Sequence, residues 1–406
     1  MEFFLKIVIT GASGYVGQNI VPILKNRCDK LILVGRDAAK LAKIFPSIQC
    51  CSFAEIPAYA QNFDALIHLS VLNNDALGNE ADFYDINLAL ALKTAKAAAK
   101  CGIKRFYNIS SVHVLDNQNQ SPYAKSKREA VSSLAEVSGI EVTNIYLPFV
   151  RGEKWNGKLT FLNSTPFFLA KPLQACLLAL KPTVKASQLA QFVLQPDDTQ
   201  DIVILSEGQS SNATFGVIKR GMDLIFAIAV IALFWWALII IWALVRFGTP
   251  GPGIFAQERV GLHGEIFMCY KFRTMQQGTV QAGTHEVSQA SVTPIGRFLR
   301  GTKLDELPQV WNIFKNEISL IGPRPGLPVQ RELYSARNMR GVFDVKPGIS
   351  GLAQVNDVDM SDPEKLAIWD ARYIALQSVL LDLKITMSTI RGGKATRRAS
   401  DYRSAT

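Results

Sequence analysis

Leu224 to Val245 is a run of 22 residues without a charged side chain, bounded by Lys219 and Arg220 before it and Arg246 after it. As a helix it rises about 33 Å, enough to cross the hydrocarbon core of a bilayer. Inside lipid the backbone must satisfy its own hydrogen bonds, so a helix is the only local structure this run can take there. A buried core helix is the alternative, but the length and the flanking cations favour membrane insertion. The run divides the 406-residue chain into two halves, each long enough to bury its own core. It predicts a membrane segment over 217–250.

The first half alternates short apolar runs with amphipathic stretches: FFLKIVIT (3–10), KLILVG (30–35), DALIHLS (64–70), RFYNISS (105–111) and EVTNIYLPF (141–149). Strands separated by helical stretches predict a parallel, doubly wound α/β sheet of Rossmann type. The first strand runs into TGASGYVGQNI, which places Gly11, Gly14 and Gly17 in a turn that opens a helix. Glycine there lets the backbone approach a pyrophosphate, whose charge the helix N-terminus meets. The second strand ends in Gly35-Arg36-Asp37. Arg36 can pair with a ribose 2′-phosphate, which leans toward NADP, while Asp37 keeps NAD open.

RFYNISS delivers Ser110 and Ser111, and Tyr123-Ala-Lys-Ser-Lys127 follows. Positions i and i+4 share a helix face, so Lys127 is expected to lower the pKa of the Tyr123 hydroxyl while a serine holds the substrate oxygen. In this order, with the glycine turn and DALIHLS, residues 3–205 resemble the extended short-chain dehydrogenases/reductases, the family of nucleotide-sugar epimerases, dehydratases and ketoreductases. The resemblance implies Ser111, Tyr123 and Lys127 as catalytic residues, with Tyr123 the proton donor. Leu147 stands where the family usually has an arginine before the proline after the sixth strand.

SEGQSSNATFG (206–216) reads as a linker. The formal net charge of +10 suits an anionic partner, whether nucleic acid, phosphorylated small molecules or an acidic leaflet. Six cysteines without CxxC or His-paired spacing indicate neither a zinc site nor a disulfide framework, and the N-terminus lacks the pattern of a cleaved signal peptide. A cytoplasmic start is expected.

Beyond the apolar run, the blocks FGTPGPGIFAQERVGLHGEIFMCYKFRTM, GRFLRGTKLDELPQVWNIFKNEISLIGPRP and VKPGISGLAQV follow KRGMDLIFAIAV in series. The adjacent carboxylates Asp305 and Glu306 lie among Lys271, Arg273, Arg297, Arg300, Lys303 and Arg324, which predicts a site for two phosphates, since an attacking carboxylate needs its target's charge neutralised. Together these blocks closely resemble the small monotopic phosphoglycosyl transferases, the bacterial sugar transferases, over 217–390. The resemblance implies a small, mostly helical catalytic domain over 251–390 and a re-entrant membrane helix at the cytoplasmic face of a bacterial inner membrane. It makes Asp305 the nucleophile that forms an aspartyl-phosphosugar and releases UMP. It gives Glu306 a part in holding Mg²⁺ or in proton removal, and phosphate binding to Lys271, Arg273, Lys303 and Arg324. UDP-sugar, undecaprenyl phosphate and membrane lipid are the implied partners; nucleic acid is not among them, and oligomerisation is left open. Trp235-Trp236 replaces the mid-helix Ser-Pro that bends the segment in most members, which removes the obvious kink. The Arg/Lys-rich tail, 391–406, suits anionic lipid.

The joint expectation is a bifunctional enzyme of glycan assembly. The first domain reduces a UDP-4-keto sugar, or epimerises a UDP-sugar, or only senses nucleotide; the second loads the sugar-1-phosphate onto the polyprenol carrier.

Overall fold

A computed structural model describes residues 5–76, 78–152, 155, 157–196, 202–279 and 291–391. It divides into two compact units, one of 1–172 with 182–207 and the other of 173–181 with 208–406. The boundary differs from the expected 205 because the second half of the helix Phe167–Leu180 packs with the second unit: Ala179 is buried against Phe215 and Val379. The basic tail after residue 391 lies outside the described residues.

The first unit is built on a seven-stranded, all-parallel sheet. Its strands are β1 (Lys6–Thr10), β2 (Lys30–Val34), β3 (Gln49–Cys51), β4 (Ala65–His68), β5 (Arg105–Ser111), β6 (Glu141–Leu147) and, after the short pair β7 (Phe149–Arg151) and β8 (Thr183–Lys185), β9 (Val203–Ile204). The order is β3-β2-β1-β4-β5-β6-β9, the doubly wound arrangement anticipated from the apolar runs. Central strands read as near-continuous apolar runs because both faces are covered: Ile7 and Ile9 enter one core cluster and Val8 the other. The chain reverses across β1, with β2 on one side and β4 on the other. Ligands bind at the carboxyl ends of strands around such a reversal.

In the second unit one helix runs unbroken from Ala213 to Gly248, capped by the Asn212 side chain on the Phe215 N–H. It begins inside the expected linker, because the polar stretch before Gly216 already contributes a cap and a first turn. Among the described residues this is the helix long and apolar enough to cross a membrane. Both of its halves pack on the same unit. Ala227 and Val230 are buried with Phe267, Cys269 and Ile313, while Ile241 and Val245 are buried with Phe272 and Leu299. Between them Ile231 to Trp236 are exposed on every face. The rest of the unit holds an antiparallel hairpin of β10 (Ile254–Val260) and β11 (Ile266–Phe272), a short parallel pair of β12 (Ser319–Ile321) and β13 (Gly348–Ser350), and surrounding helices.

Candidate active sites

Asp305 and Glu306 sit in a 3₁₀ turn, Leu304–Gln309, between the helices Pro294–Thr302 and Val310–Phe314. Lys303, with φ of +59°, ends the first helix in the left-handed conformation and starts the turn. Pro308 removes a backbone donor in mid-turn and accompanies the change from 3₁₀ to α geometry. The pair therefore stands a few residues ahead of the α-helix Val310–Phe314, on a tighter helical element.

Glu306 is the centre of an ion-pair cluster. Its Oε1 accepts from Lys271 Nζ at 2.9 Å and from Arg324 Nη2 at 2.7 Å. Burial raises its pKa, but the two cations and their hydrogen bonds overcome this and hold the carboxyl down at about 2. Asp305 goes the other way: burial and the neighbouring Glu306 charge raise it, against Lys271, Arg300 and Arg324. Two adjacent carboxylates thus have opposite environments, a fixed anion beside one held toward its neutral form.

Of the six cations expected around the phosphates, the fold gathers Lys271, Arg300 and Arg324 near the acid pair. Lys303 is exposed beside it. Arg273 goes elsewhere. Two residues beyond Lys271 on the same chain, it is buried with its guanidinium on the carbonyls of Val245, Thr249 and Pro250 and on the Thr249 hydroxyl. It caps the C-terminal end of the long helix, so a phosphate role is corrected to a structural one. Arg273→Ala should destabilise the chain by about 2 kcal/mol; a lowered thermal transition of the full-length protein in detergent is the check.

Arg259 was not singled out by its sequence context. It lies half-buried beside Glu306, Arg324 and Cys269, its pKa lowered to about 10, chiefly by burial. One guanidinium nitrogen bonds the Pro325 carbonyl at 3.0 Å and another Gln257 at 2.7 Å, while Nε is buried without a partner. Arg259, Lys271, Glu306, Gln309 and Arg324 line a common cleft. The strand alternation of AQERVG gave no sign that Arg259 would point toward the acid pair.

Among the described residues no cluster of three or more carboxylate, imidazole or thiol groups could hold a metal. The acid pair alone fits Mg²⁺ only in the way that ion commonly binds, through one or two carboxylates with phosphate oxygens and waters completing the shell. Asp305 and Glu306 would be those carboxylates.

In the first unit, Gly11 has φ of +70°, and a Cβ there would lie 2.6 Å from the Ser70 amide; at Gly17 it would lie 2.5 Å from Ala12. Gly14 is the N-cap residue of the helix Tyr15–Lys25. This is the close-packed turn and helix N-terminus that a dinucleotide pyrophosphate needs, so the residues fit the cofactor. Arg36 is exposed after β2, and Asp37 caps the next helix by accepting from the Lys40 N–H at 2.9 Å.

β5 ends at Ser111, paired in register with Leu147 of β6, and the helix Pro122–Leu134 presents Tyr123 and Lys127. The three expected residues converge. The Tyr123 hydroxyl is raised by burial, with a hydrogen bond from Ser111 opposing the shift. Lys127 is buried, donates to the Ile109 carbonyl at 2.8 Å, and is brought down to about 8 by burial. The expected Lys127 effect on Tyr123 is therefore replaced by a burial effect of opposite sign. His68, at the end of β4, bonds Thr10 through Nδ1 at 2.9 Å, and burial followed by the Lys127 charge lowers it to about 3. Its Nε2 and the Ser110 hydroxyl are buried without partners.

A carboxylate pair in a cationic cleft, on a unit that carries a long apolar helix, and a Ser-Tyr-Lys set on a doubly wound parallel sheet are the two candidate sites of this chain. The family models agree: residues 214–394 match the bacterial sugar transferase family, and residues 7–157 the NAD dependent epimerase/dehydratase family. EpsL of Bacillus subtilis, described as an uncharacterized sugar transferase, is 38% identical over 175 residues, 43% of this chain and 86% of that protein. The chain belongs to the bacterial sugar transferase family. The UDP-N-acetylgalactosamine-undecaprenyl-phosphate N-acetylgalactosaminephosphotransferase of Aeromonas hydrophila is 38% identical over 44% of each chain. The UDP-glucose:undecaprenyl-phosphate glucose-1-phosphate transferase of Klebsiella pneumoniae is 37% identical over 45% of this chain and 41% of that one. The chain thus spans less than half the length of these two relatives.

Proposed function

We propose that the second unit transfers a sugar-1-phosphate from a UDP-sugar to undecaprenyl phosphate by way of Asp305. The opposed environments of Asp305 and Glu306 carry this reading. An Asp305 oxygen attacks the phosphorus that bears the sugar, the bond to the bridging oxygen breaks, and UMP leaves with that electron pair. The carrier phosphate then attacks the same phosphorus, displacing Asp305 and forming the polyprenyl diphosphate sugar. Lys271 and Arg324, with Arg259 behind them, meet the phosphate charge. A carboxylate held at about 2 is a poor proton acceptor, so Glu306 is assigned to anchoring those cations rather than to general-base work. Mg²⁺, when bound through the acid pair, supplies further charge neutralisation.

The first unit is read as a reductase of a UDP-4-keto sugar, a UDP-4-keto-6-deoxy-N-acetylhexosamine in the sharpest form. When bound, the nicotinamide supplies the hydride; Gly11, Gly14 and Gly17 receive the pyrophosphate, and Arg36 the NADP phosphate. Burial keeps Tyr123 protonated at neutral pH, which is the form a proton donor requires. Ser111 holds the substrate oxygen. The second reading is a UDP-sugar 4-epimerase, supported by the match of residues 7–157 to a family that contains such enzymes.

Incubating the full chain with a panel of UDP-sugars and undecaprenyl phosphate, and following UMP, tests the transfer. NADPH oxidation on adding the 4-keto sugar supports the reductase, whereas bound NAD and 4-epimer formation without reductant consumption support the epimerase. The long helix is read as re-entrant at the cytoplasmic face of the inner membrane, since residues on both sides of the exposed stretch Ile231 to Trp236 are buried against the same unit. Engineered cysteines in 206–216 and in 391–406 should then label from the same, cytoplasmic side; opposite accessibility would establish a full crossing.

A further inference from the structure

The last polar residues before the apolar run do not face solvent as a simple membrane-border charge patch would. Asp223 is 4 % exposed, and its Oδ1 accepts from the Ser319 hydroxyl and the Leu320 N–H, both at 2.8 Å. Lys219 Nζ donates to the Ile321 carbonyl at 2.8 Å and to Asp382 at 2.6 Å, with the Tyr373 hydroxyl at 3.2 Å. Together these two side chains engage all three residues of β12. That strand continues directly into Gly322-Pro323-Arg324, which carries the guanidinium bonded to Glu306.

The residue between them holds the other side of the cluster. Arg220 donates to the Ile313 carbonyl at 2.7 Å and to Phe314 at 3.4 Å. These carbonyls end the helix Val310–Phe314, which follows the turn carrying Asp305 and Glu306 without a break. One stretch of the long helix therefore grips both segments that meet in the ion pair of Arg324 with Glu306.

Resting on the transfer reading above, we propose that Lys219, Arg220 and Asp223 are positioning residues, which set the separation of Arg324 from the Asp305–Glu306 pair and couple the seating of the membrane helix to the phosphate site. None of the three touches the acid pair; they act through β12 and through the helix Val310–Phe314. A displacement of about 1 Å in such supports is enough to cost roughly a hundred-fold in rate. The arrangement also gives lipid a physical route to the chemistry, since the apolar run begins at the residue after Asp223.

The test is a double-mutant cycle in the full-length protein, reconstituted in vesicles, with Asp223→Ala, Arg324→Ala and the double variant. Asp223→Ala should lower UMP release at least ten-fold in the wild-type background and less than two-fold once Arg324 is absent. Asp223→Asn, whose side-chain oxygen can still accept both hydrogen bonds, should restore most of the rate and guards against a variant that fails to fold. UDP affinity by titration calorimetry, measured on the same proteins, should show the same non-additivity without needing turnover. Equal losses from Asp223→Ala in both backgrounds, or an Asp223→Asn protein as impaired as the alanine variant, would overturn the positioning role and leave the transfer reading intact. A wild type that binds UDP with the non-additive pattern but releases no UMP would instead overturn the transfer reading alone; absence of both UDP binding and UMP release overturns the two together.

Discussion

Asp305→Asn should reduce UMP release by roughly a thousand-fold or more, because the amide has the shape of the carboxylate but cannot form the acyl phosphate. The variant keeps Glu306 bound to Lys271 and Arg324, so its fold and its affinity for UDP should survive. Retained UMP release in a clean preparation would remove the nucleophile assignment. The wild-type pH profile gives a second check. As pH falls through the raised pKa of Asp305, protonation removes the nucleophile, so the acid limb should lie above the ordinary aspartate value of about 3.9. Glu306 contributes no limb there, since its lowered pKa keeps it ionised down to about 2. Its stabilising ion pairs are fully present above its unfolded pKa and are lost as pH falls toward its folded-state value of about 2. An acid limb at or below 3.9 would mean that burial does not govern Asp305.

Tyr123→Phe should lower reduction of the 4-keto sugar by about 10²- to 10⁴-fold, the usual worth of a positioned general acid. UMP release from a supplied UDP-sugar should stay within two-fold of wild type, because Tyr123 belongs to the first compact unit and the acid pair to the second. The absorbance of NADPH reads the first quantity and UMP the second, in the same tube. A fall in both would show that the two reactions are linked through more than their intermediate. A fall in neither would remove the first unit from catalysis and leave it a nucleotide-sensing module.

Much of the two sites is legible before any folding is considered. The glycine turn, the Ser111, Tyr123 and Lys127 spacing and the adjacent acids are local patterns, and local patterns survive because a tight turn, one helix face and one 3₁₀ turn each need only neighbouring residues. The alternation of apolar runs likewise announced the parallel sheet, since strands covered on both faces must be apolar throughout. The uncharged run, long enough to cross a bilayer, called for a helix because a backbone inside lipid must satisfy its own hydrogen bonds.

What the fold alone decided is which charges meet. Lys271 and Arg273 stand two apart on one chain, yet one binds Glu306 and the other caps the long helix, because partners 35 and 28 residues away along the sequence determine their surroundings. Arg259 joined the acid pair only through the packing of the β10–β11 hairpin, and Arg324 reached it from 18 residues downstream. The two acids shift in opposite directions for the same reason: Lys271 and Arg324 act on both, but it is Glu306 that they hydrogen-bond, and Coulomb energies depend on distances in space. Even the sign of the Tyr123 shift came from burial, a property of the whole domain, while the identity of the tyrosine came from its spacing to Lys127.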